Sequence, residues 1–212
     1  MSAPERDEIF ARVRDALCDV KPPPLDDSMR IAPRMAGDAK TEIELCLSEI
    51  AKLGGTTRVI HSTDELANAF AELVRAENIR VATTWDTDEL RAARDLLARL
   101  GVMLVASNAS SRELANCDLG VTGADAILPE SGTLVLKSTP TQSPFTSLLP
   151  RVHLALVRAN ALHADLHSVL KEIKHDQRVV FITGPSRTAD IEKVLTIGVH
   201  GPKALYVWVL EI

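Results

Sequence analysis

Two stretches of this 212-residue chain combine residue types that could handle a charged ligand or a proton: "GVTGADAILPESGTLVL" from Gly120 to Leu136, and "ITGPSRTADIE" from Ile182 to Glu192. In the first, Glu130 stands between Pro129 and the pair Ser131-Gly132, at a turn that opens a strand. A carboxylate held rigidly at such a turn could act as nucleophile or general base, and Asp125 is a second carboxylate in the same excursion. Thr122, Gly123 and Gly132 are the neighbours able to approach a ligand there. Asp, Ser, Gly and Pro also favour turns for conformational reasons alone, so the pattern equally fits plain turn chemistry.

In the second stretch Gly184 permits a tight exit from a strand, Pro185 fixes its own φ, and Ser186 or Thr188 can cap the first turn of a following helix. Asp190 and Glu192 would complement that helix's dipole, so most of the segment describes a well-capped helix start. Arg187 does not fit. A cation at a helix N-terminus opposes the dipole unless something negative lies between them, which makes Gly184, Ser186, Arg187 and Thr188 a candidate anion site as well.

The other chemistry-bearing residues are less promising. His200, in "GVHGP", follows a helix expected to end at Gly198 and reads as a cap for its last carbonyls. "HADLH" sets His163 and His167 at helical i, i+4 spacing, but Ala164 stands where a zinc-protease helix carries its Glu, so a solvated helix face is expected and no metal site. Cys18, Cys46 and Cys117 are widely separated with no C-x-x-C pair, which encodes neither a disulfide framework nor an iron–sulfur or zinc site; they read as small buried hydrophobes. A formal charge of -5 leaves no basic surplus to neutralise a phosphate backbone, so nucleic acid is not expected as a partner. The charged, periodic amino terminus and the absence of any run of about 18 apolar residues point to a soluble, cytoplasmic protein without a membrane span.

These residues need a scaffold, and the periodicity supplies one. Ile9, Phe10, Val13, Leu17 and Val20 share one helical face, "KPPP" (Lys21 to Pro24) ends it, and a polar connector runs to Gly37. Residues 1–37 are thus an N-terminal helix arm and Pro-rich connector, and 38–212 a compact domain. Within it helical faces (Ile43, Leu47, Ile50; Leu66, Phe70, Leu73; Leu90, Ala93, Leu97) alternate with "TTRVIH", "IRVATT" and "VMLVAS". Such repetition predicts an α/β fold, a mostly parallel open sheet with helices on both faces. Asp118 to Arg158 breaks the rhythm with two strand-like pieces in a hairpin-like excursion, and Thr139 to Pro150 forms a long loop. "VHLALV", a helix bearing Leu162, Leu166, Val169 and Leu170, "VVFIT", a helix bearing Ile191, Val194 and Leu195, and "ALYVWVLE" then restore it. Ligands of open α/β sheets bind beyond the strands' carboxyl ends, here Thr84, Asp86, Ser107, Asn108, Thr122 to Asp125, and Gly184 to Thr188.

Taken together, "GVTGADAILPESGTLVL", "SLLPRVHLALV" and "ITGPSRTADIEKVLTIGVHGPKALYVWVL" closely resemble the lactate-utilization protein C family, also called YkgG-like, whose members consist of a LUD domain. "RDEIFARVRDAL" extends the likeness to the amino terminus. Pro129 stands where an Ala is usual before the Glu, and Ser131 where a Thr is usual after it. The resemblance implies the fold of glucosamine-phosphate deaminase, ribose-phosphate isomerase and CoA transferases. It also implies an accessory, non-redox subunit of a system that oxidises L-lactate to pyruvate, beside two partner proteins that carry the iron–sulfur clusters. In that role the chain binds no cofactor of its own and recognises an anionic metabolite, its partner proteins, or both. The alternative is a stand-alone CoA-, acyl- or phosphosugar-processing enzyme using Glu130.

Overall fold

The computed structural model describes residues 3–20, 34–173, 178–189 and 195–212. The chain divides into two units, Met1–Ala32 and Pro33–Ile212. The first contains α1 (Ala3–Leu17), on which Ile9, Phe10, Val13 and Leu17 are exposed. The second begins five residues before residue 38, and near its start Arg34 is tied by its side chain to Glu42 and Glu130.

The second unit is built on a six-stranded, wholly parallel sheet in the order β1-β11-β7-β4-β2-β3. Its strands are β1 (Thr56–Ile60), β2 (Val81–Thr84), β3 (Met103–Val105), β4 (Leu119–Thr122), β7 (Val152–Arg158) and β11 (Ala204–Leu210). The central strands β4 and β7 are almost continuously buried, as parallel strands with covered faces must be. Helices α2 (Ala39–Lys52), α3 (Thr63–Ala76) and α4 (Arg91–Arg99) place Ile43, Ile50, Phe70, Leu73 and Leu97 in one core with Leu119, Leu154 and Trp208. Each helix begins where its local chemistry allows. Asp38 accepts from Thr41 N (3.1 Å) at α2, and Ser62 accepts from Glu65 N (3.1 Å) at α3. A short α5 (Ser111–Ala115) rests on a capping box between Ser110 and Glu113, an S-x-x-E signal that the apolar periodicity alone does not reveal.

The interrupted rhythm after Asp118 resolves into three strands rather than two. β4 belongs to the main sheet, whereas β5 (Ala126–Leu128) and β6 (Thr133–Lys137) form an antiparallel hairpin that is joined by β8 (Val179–Ile182) in a separate three-stranded sheet. "VVFIT" therefore pairs antiparallel with the hairpin and does not extend the parallel sheet. The long loop carries one turn of helix, α6 (Phe145–Leu148), whose Thr146 carbonyl lies so close over Gly120 that a Cβ there would sit 1.8 Å from it.

Two expected helices are corrected. His163 precedes α7 (Leu166–Glu172), so His163 and His167 do not share a helical face. "GPSRT" instead runs directly into β9 (Arg187–Ala189), paired antiparallel with β10 (Leu195–Ile197). Leu195 is thus in a strand, while Asp190, Ile191, Glu192, Lys193 and Val194 lie outside the described residues. The cause is pairing, which overrides a local capping signal whenever a partner strand is within reach.

Candidate functional site

β2 leads outward to β3 at one edge of the sheet, whereas its neighbour β4 leads toward β7 on the other side. The order reverses between them, and a crevice is expected at their carboxyl ends. A cavity of about 470 Å3 opens there, lined by Trp85 and Glu89 after β2, Gly123 and Asp125 after β4, Gln142 of the long loop, and Arg158 at the end of β7. Gly123 forms part of its wall. A Cβ on it would lie 3.8 Å from the Leu156 carbonyl and the Trp85 ring and 4.0 Å from Glu89 Oε2, which is ordinary contact.

Asp125 is anchored at the base of the hairpin: its backbone N–H donates to Val135 O (2.9 Å) and its Oδ2 accepts from Lys137 N (2.7 Å). Burial raises its carboxyl above the ordinary range, the Lys137 amide and ammonium pull it down, and the nearby Glu89 charge pushes it up again. Arg158 is exposed at the cavity, with no hydrogen-bond or ion-pair partner for its guanidinium among the described residues.

The long loop is fastened across the exit of β2. Trp85 Nε1 donates to Ser143 O (3.0 Å) and Asp86 N to Thr141 O (3.1 Å), while Arg94 Nη1 ties the turn by donating to the carbonyls of Trp85 (2.8 Å) and Thr87 (3.1 Å). On the far side lies a second cavity of about 440 Å3, lined by Thr84, Asp86, Arg94, Ser107, Asn108 and Thr141. The strand-end residues named from the sequence are thus divided: Gly123 and Asp125 face one cavity, and Thr84, Asp86, Ser107 and Asn108 the other. Glu89, Trp85 and Arg158 were not singled out from sequence; their signal was position, Trp85 directly after β2, Glu89 in the turn that follows it and Arg158 at the end of β7.

Thr122 lies within the sheet, fully buried, with Oγ1 2.8 Å from Nε2 of His153. His153 is equally buried, and desolvation pushes its imidazole down to about 3, so it is neutral across the physiological range. A polar residue inside the apolar run "VHLALV" was its only mark in the sequence.

Glu130 sits at the opposite end of the hairpin from Asp125. It is 64% exposed, pairs with Arg34 Nε at 3.0 Å, and borders a separate pocket with Ser131, Thr133, Asp165 and Thr183. The same Arg34 binds Glu42 in two-pronged fashion, Nη1 to Oε2 at 2.7 Å and Nη2 to Oε1 at 2.9 Å, and Gly37 N adds a bond of 2.6 Å. The Arg34 bond, then the Gly37 bond, hold the Glu42 carboxyl below its usual value of 4.5.

Gly132, Gly184 and Arg187 converge on the other end of α2. Gly132 is left-handed (φ +60°), and a Cβ on it would lie 2.7 Å from Ile50 N. A Cβ on Gly184 (φ +105°) would lie 3.2 Å from the Leu53 Cβ. Arg187 donates to the Leu53 carbonyl at the C-cap of α2, so its charge meets the negative end of a helix dipole and the mismatch seen in the sequence disappears. Ser186 exchanges backbone bonds with Pro202 and Gly198 (both 2.9 Å) and, with Gly184, His153 and His200, borders a small cavity of about 150 Å3. Thr188 pairs with Thr196 across β9 and β10.

Among the described residues no group of three or more His, Cys, Asp or Glu side chains is placed to hold a metal ion. Cys46 and Cys117 are buried, with thiols pushed up to about 12 and about 11 by desolvation. Cys18, expected to be buried, is exposed on the first unit. No described helix is long and apolar enough to cross a membrane.

Comparison with known proteins follows the same outline. The LUD domain family model matches residues 43–210. The chain is similar to lactate utilization protein C of Exiguobacterium sp. (strain ATCC BAA-1283 / AT1b), 31% identical over 173 residues covering 75% of this chain and 68% of that protein. It is likewise similar to lactate utilization protein C of Shouchella clausii (strain KSM-K16), 32% identical over 156 residues and 68% of each chain. The crystal structure of a DUF162 family protein from Deinococcus radiodurans shares the fold, with a TM-score of 0.61 at 18% identity over 82% of this chain and 99% of that one.

Proposed function

The chain belongs to the LUD domain family, with lactate utilization protein C among its relatives, and from that premise we propose that it serves lactate utilization as an accessory, non-redox subunit whose switch-point cavity holds an anionic metabolite. One observation carries the reading. Arg158 presents at a cavity beyond the carboxyl ends of the strands a guanidinium with no partner among the described residues, and a guanidinium binds a carboxylate through two parallel hydrogen bonds. Oxidising L-lactate to pyruvate releases two electrons and two protons. In this reading, which the family resemblance suggests, those electrons pass to iron–sulfur partner proteins, and this chain, with three scattered cysteines, is the metabolite-binding component.

Thermal melting of the purified chain with acetate, propionate, L-lactate and pyruvate tests the reading. At about 100 times its dissociation constant, at least one of these should stabilise the fold by roughly 2.7 kcal/mol, a melting shift on the order of 5–10 °C. Arg158→Ala should abolish the shift and leave the ligand-free melting point unchanged. If none of the four acids gives an Arg158-dependent shift, the cavity is not the anion site.

A further inference from the structure

We propose that the small cavity beside His153 is a second binding site, for an uncharged molecule that carries a hydroxyl group on a short apolar body. It shares no lining residue with the switch-point cavity, and nothing in it depends on an anion being bound there.

The sheet places the imidazole. Gly120 and His153 are partners across β4 and β7, so His153, Thr122 and the position where Gly120 lacks a side chain share one face of the sheet. Helix α6 covers that face, its Thr146 carbonyl packed over Gly120. Ser147 and Leu148 of the same turn line the cavity, facing Val180 and Ile182 of β8 and Leu205 of β11. Thr122 Oγ1 occupies Nε2 of His153 at 2.8 Å, while Nδ1 is fully buried with no hydrogen-bond partner among the described residues. Oγ1 of Thr146, the neighbour of Ser147, is buried without a partner as well. A buried polar atom left unpaired is costly, and one that belongs to a cavity wall is where a ligand atom gains most by pairing.

The chemistry of the walls selects the occupant. No Asp, Glu, Lys or Arg lines the cavity, and desolvation keeps the His153 ring neutral, so an entering ion would shed its water without meeting a counter-charge. A hydroxyl suits Nδ1 in either tautomer: Thr122 can donate to Nε2 or accept from it, and Nδ1 then takes the opposite role. Leu148, Val180, Ile182 and Leu205 offer apolar surface to the rest of the molecule. The volume of about 150 Å3 suits a body of about six heavy atoms, the size of benzene. Phe181 and His200 line the same cavity and are exposed, which gives it an opening to solvent.

Nitrogen NMR of the full chain with labelled histidines tests the site, using butan-1-ol, butyrate and butylammonium as probes. His153 is recognised as the ring that does not titrate near neutral pH. Butan-1-ol should shift its Nδ1 resonance saturably and bind at least about tenfold more tightly than either ion. Leu148→Phe, which fills the cavity without touching the imidazole, should weaken that binding at least about tenfold, and His153→Phe, followed by the alcohol's own resonances, should do the same. Arg158→Ala should leave it unchanged, which separates this site from the switch-point cavity. An Nδ1 resonance that butan-1-ol does not move, or a shift that survives Leu148→Phe, overturns the site. Equal binding of butyrate overturns the choice of an uncharged ligand.

Discussion

The β5–β6 hairpin has a carboxylate at each end, and the two ends differ in kind. At its base Asp125 lies half-buried beside a cavity, with one oxygen fixed by Lys137 N, the Glu89 carboxylate nearby and, lining the same cavity, Arg158, whose guanidinium has no partner among the described residues. At its tip Glu130 is mostly exposed and already paired with Arg34, whose remaining nitrogens hold the buried Glu42 of α2. Gly132, two residues on, is pressed against Ile50 in the same helix. Local sequence at the tip, Pro-Glu-Ser-Gly, has the stronger look of an active-site loop. Yet the tip spends its polar groups on seating α2, and the base leaves its groups turned toward open space. Unsatisfied polar groups facing a cavity, rather than eye-catching residues in a turn, distinguish a site from a scaffold.

Substitutions can break that contrast or sharpen it. The largest effect should come from Gly132→Ala: the left-handed backbone and a Cβ 2.7 Å from Ile50 N together should cost roughly 2–4 kcal/mol, a melting decrease on the order of 10 °C, with carboxylate affinity of the remaining folded protein unchanged. Loss of carboxylate binding with no loss of stability would reverse the assignment of the two ends.

Next comes Arg34→Met, read against pH. The Glu42 carboxyl is held below 4.5 in the folded state, so its contribution to stability is full above the unfolded value and is lost as the pH falls through the lower, folded value. The unaltered chain should therefore lose stability steeply below about pH 4.5, and Arg34→Met should be less stable at neutral pH with a shallower acid limb in denaturant titrations. An identical acid limb in the variant would show that the Arg34–Glu42 contact does not anchor α2.

Smaller effects follow at Arg187 and Glu130. Arg187→Ala removes one charge-assisted bond to the helix C-terminus, which at an exposed site should cost about 0.5–1 kcal/mol and leave carboxylate binding intact. Glu130→Gln should melt within a few degrees of the parent and still support growth on lactate; loss of growth with a folded protein would bring chemistry back to the tip and favour the acyl- or CoA-processing alternative. The smallest stability change should be at Gly123→Ala, whose added methyl meets its neighbours at 3.8–4.0 Å: melting within about 0.5 kcal/mol of the parent, but weaker carboxylate binding because the methyl enters the cavity.

How much of this was legible beforehand varies by element. Ile43, Leu47 and Ile50, or Leu66, Phe70 and Leu73, announce amphipathic helices, and each occupies the core where periodicity puts it. A capping pattern at "GPSRT" says only that a helix could start there; Arg187–Ala189 instead pairs as a strand with Leu195–Ile197. The site was half visible. Asp125 and Gly123 lie in a stretch whose turn residues draw attention, but Glu89 and Arg158 look like ordinary surface charges in "WDTDELRAA" and "LALVRAN".

By itself the sequence determined the alternation of strands and helices, the apolar faces that build the core, the polarity of the strand ends and the lack of thiolate spacing for a metal cluster. These are local properties, set by side-chain type and a period of two or 3.6 residues. Only the tertiary structure decided which polar residues remain free. Arg187 and Arg158 are indistinguishable as letters, but one falls against the carbonyl of Leu53 and the other on the rim of a crevice. That difference arises from strand order: the sheet reverses direction between β2 and β4, and the gap left there brings Glu89, Asp125 and Arg158 together from three separate parts of the chain.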